Sequence, residues 1–572
     1  MTPTLAQRGR LIVACAALFV IAGGVHADAW PLLALGTVIV CAVCTAYLYF
    51  YPTAILLRRR KIELAWWVPP GDQPGGALSV DHPFPLHVAL RNHGPVGLRV
   101  LDLRVIASAA LDVPEGLEAH VPRGLEVELR AGVRARAAGH WALHGAVVQL
   151  GDLLGLFEVR AYFPNPLTLK VFPRQARPGA NVVPLRPQVG APDERGGAHR
   201  IRRRGLSGDL REIRDHQYGD PFKMIAWKAT ARKRRLMVRD LENEIVMTHQ
   251  VLVDVGASMR GGLHGRTRLD FAIETASALT RLALEGGDRV GLVTFDTRVY
   301  GKLKPGEGRP HLLQVVDRLL ETRNVVDEDL TDLTDGELVA AVARYLAHQE
   351  AVDVRLRHAP PVDDPSWARI AAGPGGELYD MTAMGKVVGA LLKVHSATSD
   401  QSRKAPAWWW SRVYISDGSD PEMARLRLFC RLRGIELPYK QAQAGARSAG
   451  LAAALAAATA GERSQFVIVV SDLEGLLEDP ASALRQVSLM RRKHQQMVVV
   501  VPQASRLAAP GRSPTGRKVA DVLSFEEKRR HEAARALLAP LGVPVLLAGP
   551  EDGASVLARR FGKAAARLRG HG

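Results

Sequence analysis

The chain has 572 residues, more than one hydrophobic core accommodates, since single cores stop growing near ~250–300 residues. Its composition, 47% hydrophobic and 6% aromatic, is that of an ordinary globular protein. A formal charge of +18 favours anionic partners, but no nucleic-acid-binding module stands in the sequence, so specific nucleic-acid recognition is not expected. The four cysteines, Cys15, Cys41, Cys44 and Cys430, leave the soluble part without a disulfide framework, which fits a reducing compartment.

The N-terminus carries two apolar runs, Leu11–Val25 and Pro31–Tyr51, separated by a polar patch at His26–Asp28. The second has 21 residues without a formal charge, enough to cross a ~30 Å hydrocarbon core. Arg8 and Arg10 precede the first, and Arg58, Arg59, Arg60 and Lys61 follow the second. Positive flanks stay in the cytosol, so residues 1–61 read as a membrane anchor of two transmembrane helices. The soluble part is then expected on the cytosolic face of a bacterial inner membrane. A competing reading takes the first run as a signal peptide cleaved at Ala27-Asp28-Ala29; the RRRK cluster would still stop transfer. Cys41 and Cys44, a C-x-x-C pair inside the apolar run, lack the further ligands of a metal site.

Residues 62–175 read as a β-rich, sandwich-like domain. Leu86, Val88 and Leu90 alternate, a turn follows at Asn92–Pro95, and Leu98, Val100, Leu103 and Val105 resume the pattern. Residues 176–245 read as a linker, rich in Pro, Gly and charge, followed by a basic segment. From 246 to 572 apolar strand runs alternate with helical spacing: THQVLVDVG, then Arg268–Leu284, Arg289–Phe295, Gln465–Val470, Met497–Val501 and Val543–Leu547. That alternation implies an α/β Rossmann-like domain with a parallel sheet. A mainly helical stretch at about 326–462 reads as an insertion into it or as a separate subdomain.

Between Arg200 and Asp240 stand 13 Lys or Arg against 5 Asp or Glu, a net of +8. The interleaved acids, with the apolar Ile213, Ile225, Trp227, Leu236 and Val238, favour internal ion pairs or a solvated face over a phosphate-binding patch. The spacing of Gly208, Arg214, Gly219, Asp220, Ile225, Trp227, Lys228, Ala231, Arg232, Leu236 and Val238 resembles the signature of the domain of unknown function 58 family. Gly151-Asp152-Leu153-Leu154-Gly155-Leu156-Phe157 resembles that family's D-x-x-G-L-F element. The resemblance implies two N-terminal spans, a β domain and a von Willebrand factor A-like domain. It further implies a role beside a MoxR-type AAA+ ATPase in assembling or maturing client proteins.

A von Willebrand factor A-like domain raises the question of an adhesion-type metal site. Hydroxyl and carboxylate oxygens in D-x-S-x-S, with a later Thr and Asp, suit Mg²⁺. Here Asp254 and Ser258 match and Gly256 replaces a ligand serine. Asp472, in Ser471-Asp472-Leu473-Glu474, resembles the later aspartate; Ser416-Asp417-Gly418 competes with it, and Thr331 or Thr334 would supply the threonine. Water in place of the lost oxygen would leave weak Mg²⁺ binding; otherwise Asp254 caps the first helix or bonds nearby backbone.

Enzyme motifs are missing. There is no G-x-S-x-G or H-E-x-x-H, and His531-Glu532 lacks the second histidine. Gly511–Lys518 has Arg where a phosphate loop needs Lys. Trp408-Trp409-Trp410 is either a docking patch or core. The expected function is a protein-binding scaffold. The alternatives are a metal-dependent hydrolase using Asp254 and Asp472 and a binder of anionic lipid or nucleic acid through residues 200–240.

Overall fold

The computed structural model describes residues 3–552 except 26–28, 59–61, 70–77, 94–97, 115, 153, 175–198, 246, 324–330, 351, 362, 399–420, 436, 441–444, 461–465, 494, 508–513 and 550–551. Residues 176–198 of the expected linker, the Ser416–Gly418 candidate, the tryptophan run and the start of the phosphate-loop-like stretch lie outside these residues. The chain forms two compact units, Met1–Phe172 with Asn324–Tyr439, and Pro173–Arg323 with Lys440–Gly572.

In the first unit, helices Gln7–Val25 and Trp30–Arg58 are both long and apolar enough to cross a membrane. They pair closely because glycine is used where they meet. A Cβ on Gly23 would stand 2.5 Å from Leu33 N, and one on Gly36 2.9 Å from Ala16 O. Two largely antiparallel sheets follow. One runs through Thr4–Leu5, Phe157–Phe172, Gly139–Gly151, Leu98–Ala107 and Ala119–Val121, with Leu78–Ser79 added on Phe157–Phe172. The other runs Ile62–Trp67, Pro83–Asn92, Glu126–Ala135 and Leu111–Asp112. Alternation buries Phe84, Leu86, Val88 and Leu90 and leaves Pro83, Pro85 and Arg91 exposed, while Ala89 is buried as well. The D-x-x-G-L-F element closes a turn: Asp152 Oδ1 accepts hydrogen bonds from the backbone N–H groups of Leu156 (2.6 Å) and Phe157 (3.1 Å).

The helical stretch is divided between the units. Helices Asp335–Gln349, Met381–Thr398 and Pro421–Arg433 share one core, including Leu338, Val342, Met384, Val388, Phe429 and Cys430. Met381–Thr398 and Pro421–Arg433 pack on strands Gly139–Gly151 and Phe157–Phe172, and Tyr345 of helix Asp335–Gln349 reaches His144 Nδ1 at 2.8 Å. Helix Ala446–Thr459 belongs to the α/β unit. An amphipathic pattern shows that a helix has a buried face but not which sheet that face meets.

In the second unit, His199–Asp215 and Met237–Ile245 pair as an antiparallel ribbon, so the later part of the expected linker is ordered sheet. The α/β core comprises β1 (Thr248–Asp254), α1 (Ala257–Arg260), α2 (Arg268–Glu285), β2 (Arg289–Phe295), β3 (Val299–Gly306), α3 (Gly308–Glu321), α4 (Ala446–Thr459), β4 (Phe466–Val470), α5 (Glu474–Glu478), α6 (Pro480–Arg492), β5 (Gln496–Pro502), α7 (Ala504–Leu507), α8 (Pro514–Leu538) and β6 (Val545–Ala548). The sheet order is β3-β2-β1-β4-β5-β6. All pairs are parallel except β2–β3, which is antiparallel. Its central strands are apolar on both faces because helices cover both. Leu252, Val293, Val467, Val469 and Val499 meet Leu451 and Leu455 of α4, Val487 and Met490 of α6, and Leu538 of α8, while α2 lies against β1 and β2.

Candidate functional site

The strand order reverses between β1 and β4, and at the carboxyl ends of such strands an open parallel sheet leaves a crevice. The register aligns Asp254 with Phe295, and Val253 with Val470. Three acids therefore gather at one edge: Asp254 at the end of β1, Asp296 just past β2, and Asp472 just past β4. All three are buried, at 8%, 2% and 7% exposure.

Asp254 is held by its neighbours. Gly256 N–H donates to its Oδ1 (2.9 Å) and Ser471 Oγ to its Oδ2 (2.6 Å). Burial, with Asp472 and Asp296 adding negative charge, pushes its carboxyl up to about 7 against the pull of those two hydrogen bonds. Leu473 takes a left-handed φ of 62°, and the turn it makes lets its own N–H donate to Ser471 Oγ (3.0 Å) and Glu474 N–H to Asp472 Oδ1 (3.1 Å).

Two arginines supply the countercharge. Arg268, the first residue of α2, donates from Nη1 to Asp472 Oδ2 (3.2 Å) and from Nη2 to Glu527 Oε1 of α8 (2.7 Å). Arg447, in the first turn of α4, donates from Nη1 to Ser258 Oγ (3.4 Å) and to Glu474 Oε2. Its Nε lies 3.6 Å from Asp296 Oδ1. A Cβ on Gly450 of α4 would stand 1.8 Å from the Asp296 carbonyl oxygen, so glycine is what lets α4 close on this loop. Burial works to raise the Glu527 carboxyl, but hydrogen bonds from Arg268, Ser505 and Ala504 outweigh it and hold it below its ordinary value. Burial holds His531 below its own ordinary value despite Glu527 nearby. At the outer edge Arg530 Nη1 reaches Glu474 Oε1 at 3.0 Å.

The structure thus brings Asp254, Ser258 and Asp472 into one neighbourhood. It adds Asp296, Arg268, Arg447, Glu474 and Glu527, which the sequence did not single out. Asp296 had a usable signal, an acid directly after an apolar strand; the arginines had none. Thr331 and Thr334 are engaged in the first unit, Thr331 Oγ1 accepting from Arg427 (3.3 Å) and Thr334 capping helix Asp335–Gln349 with Glu337. The donor set does not fit a resident Mg²⁺. Both Asp254 oxygens accept hydrogen bonds and Asp472 already faces a guanidinium. Among the described residues no group of three or more His, Cys, Asp or Glu is placed to hold a metal. Asp254 Oδ1 is held by the nearby backbone N–H of Gly256.

The basic signature segment forms the tip of the ribbon and divides into two sets. One builds the turn. Arg214 donates twice to Asp220, at 2.7 and 2.6 Å, Gln217 N–H donates to Asp220 Oδ2 (2.8 Å), and Gly219 takes a φ of 96°. These bonds, led by Arg214, hold the Asp220 carboxyl well below the usual carboxylate range. Ile225 and Val238 are buried beneath. The other set faces outward: Trp227, Lys228 and Arg232, joined by Ile213 and Leu236. Trp227, Ile213 and Leu236 are not core residues, because a two-stranded ribbon has too little depth to cover both faces. Gly208 lies in the ribbon strand.

The second unit is therefore a doubly wound α/β module with an arginine-bridged acidic cluster at its switch point. Residues 212–347 match the family model described as "Protein of unknown function DUF58". The uncharacterized protein YeaD of Bacillus subtilis (strain 168) is 27% identical over 175 residues, 30% of this chain and 41% of that protein. The uncharacterized protein Rv1480 of Mycobacterium tuberculosis is 29% identical over 107 residues, 19% of this chain and 34% of that protein. The chain spans less than half the length of these curated relatives. Among solved structures, the conserved hypothetical protein BatB from Bacteroides thetaiotaomicron aligns at 12% identity and a TM-score of 0.24, covering 56% of this chain and 99% of that one.

Proposed function

We propose that this is a membrane-anchored scaffold whose α/β unit, a von Willebrand factor A-like domain, binds a protein partner at the cytosolic face of a bacterial inner membrane. The partner is a MoxR-type AAA+ ATPase, and the two act on client proteins during assembly or maturation. The observation that carries this reading is the cluster of Asp254, Asp296 and Asp472 at the switch point of the sheet, where open α/β folds place binding sites. The sheet order, with an antiparallel edge strand, is consistent with an A-like domain. Arg268 and Arg447 supply the positive charge that a cation brings to an adhesion-type site. Recognition then proceeds by ion pairs from the rim rather than through a metal. The two apolar helices support the anchor, and the positive cluster after them supports a cytosolic face.

The test is co-purification of the full chain, in detergent, with a MoxR-type AAA+ ATPase of the same organism. The rim variant Glu474→Ala/Arg530→Ala removes two partly exposed side chains and should reduce capture while leaving the melting temperature close to wild type. Unchanged capture by a folded rim variant would count against this surface.

A further inference from the structure

The tip of the ribbon carries an exposed combination that the scaffold reading leaves unused. Tyr218 is 107% exposed, Phe222 74% and Trp227 56%, and the Phe222 and Trp227 rings meet edge to face with centroids 5.5 Å apart. Around them Lys223, Lys228, Arg232, Lys233, Arg234 and Arg235 are all exposed. Between residues 216 and 236 the sole acid is Asp220, and it is engaged by Arg214. Among the described residues none of the six cations makes an ion pair: Arg214 and Asp220 form an internal pair, and these six form the solvated face that the interleaved charges also allowed.

These side chains stand on a rigid platform. The Arg214–Asp220 pair closes the turn. Ile225 bridges to Val238 beneath it, and Met237 N–H donates to Thr230 Oγ1 (2.9 Å). Three aromatics presented together on such a support are a candidate interaction site, unlike scattered surface hydrophobics.

We infer that this tip is a peripheral contact for an anionic phospholipid surface. Tyr and Trp rings rest at the headgroup level of a bilayer, with apolar bodies and polar tips. Cations beside an anionic leaflet are drawn to it, and the attraction falls off within a Debye length. A nucleic acid or an acidic peptide would use the same charges. Single-stranded nucleic acid, however, is held with its bases stacked along a groove, and Tyr218, fully exposed, stands outside any cleft. The inference rests on the anchoring reading above, which gives the chain a bilayer of its own.

The experiment uses the full chain with Cys15, Cys41, Cys44 and Cys430 replaced by alanine and Tyr218→Cys carrying an environment-sensitive fluorophore. It is reconstituted in nanodiscs of phosphatidylcholine alone, or of equal phosphatidylcholine and phosphatidylglycerol, each with a doxyl-lipid quencher. Quenching is expected in the anionic discs and should be lost in high salt. It should also be lost in the variant Lys228→Gln/Arg232→Gln/Lys233→Gln/Arg234→Gln/Arg235→Gln, whose substituted side chains are exposed and whose melting temperature should not change. Absence of quenching in anionic discs, or equal quenching in phosphatidylcholine alone, overturns the inference. So does a label that responds to a single-stranded oligonucleotide and not to lipid. A chain that fails to enter the discs overturns the anchor instead, and the same label then reports on the tip against added phosphatidylglycerol vesicles.

Discussion

A Cβ built on Gly256 would stand 2.8 Å from Asp296 Oδ1 and 3.1 Å from Asp254 Oδ1. Gly256 occupies the position of the first ligand serine in an adhesion-type motif, and the space a serine would need is taken by the Asp296 carboxylate. The backbone there has φ −62° and ψ 171°, which any residue adopts, so the obstacle is the side chain alone. Gly256→Ser should therefore destabilise by about 1–2 kcal/mol, because Asp296 is buried and must turn aside. Added Mg²⁺ should not recover the loss, as Arg447 lies where the countercharge is needed. Thermal melts with and without Mg²⁺ check this; a melting temperature restored by Mg²⁺ would show that the site accepts the ion once its serine is supplied.

Arg268 ties two distant parts of the chain together, pairing with Asp472, 204 positions away, and with Glu527, 259 positions away. The three side chains are 15%, 4% and 9% exposed, so removing the cation leaves two buried carboxylates facing each other's field. Arg268→Ala should cost about 3 kcal/mol, measured by denaturant unfolding. Adding Glu527→Gln should recover part of that, because one of the two stranded charges is gone. Strictly additive losses in the double variant would mean that Arg268 acts by packing alone.

Asp254 sets a pH dependence opposite in sign to that of a salt-bridged carboxylate. Its folded value, about 7, lies above the unfolded one near ~3.9, so in that window the folded chain binds the extra proton. The stability contributed by protonated Asp254 is fully present below about pH 4 and is lost as the pH rises towards 7. Asp254→Asn fixes the neutral state and keeps a group able to accept from Gly256 N–H and to bond Ser471. It should flatten this limb and leave the protein more stable than wild type at pH 7, by on the order of a few kcal/mol. Melting curves from pH 4 to 7, with a chelator present, decide the matter. An unchanged slope in the variant would assign the dependence to another group.

The strands of the α/β unit were legible in the sequence because each is a continuous apolar run too short to be a helix. Thr248–Asp254, Phe466–Val470 and Gln496–Pro502 lie where those runs lie. Asp254 and Asp472 were legible as site candidates because each stands at or just past the end of such a strand, in a spacing that resembles an adhesion-type motif. Arg268 and Arg447 were not, since nothing local marks an arginine whose partners lie on other elements, 204 and 259 positions away for Arg268 and 27 for the Arg447–Glu474 pair. The sides taken by Ile213, Trp227 and Leu236 were also hidden, because apolar type tells how costly exposure is but not whether a second layer exists to prevent it. The division of the helical stretch at Tyr439 is a tertiary fact of the same kind: helix Pro421–Arg433 and helix Ala446–Thr459 both have buried faces, and only the completed cores assign them to different sheets.

In the first unit the buried pair Arg433–Glu350 joins helix Pro421–Arg433 to the end of helix Asp335–Gln349. The two side chains are 1% and 3% exposed and 3.1 Å apart, and the Arg433 guanidinium also lies 5.6 Å from the centroid of the Phe429 ring. Burial raises the Glu350 carboxyl above its ordinary value and outweighs the pull of Arg433, as in an ion pair whose desolvation exceeds its attraction. Arg433→Met should cost about 3–5 kcal/mol by leaving Glu350 charged and buried, or forcing it to protonate. Arg433→Met with Glu350→Gln should recover most of the loss, because the methionine stem still packs on Phe429 and no buried charge remains. Denaturant unfolding of the two variants against wild type measures both. Should the double variant fall as far as the single one, the pair would be contributing net attraction, and the cation over Phe429 would be the first contact to examine with a second cycle at that ring.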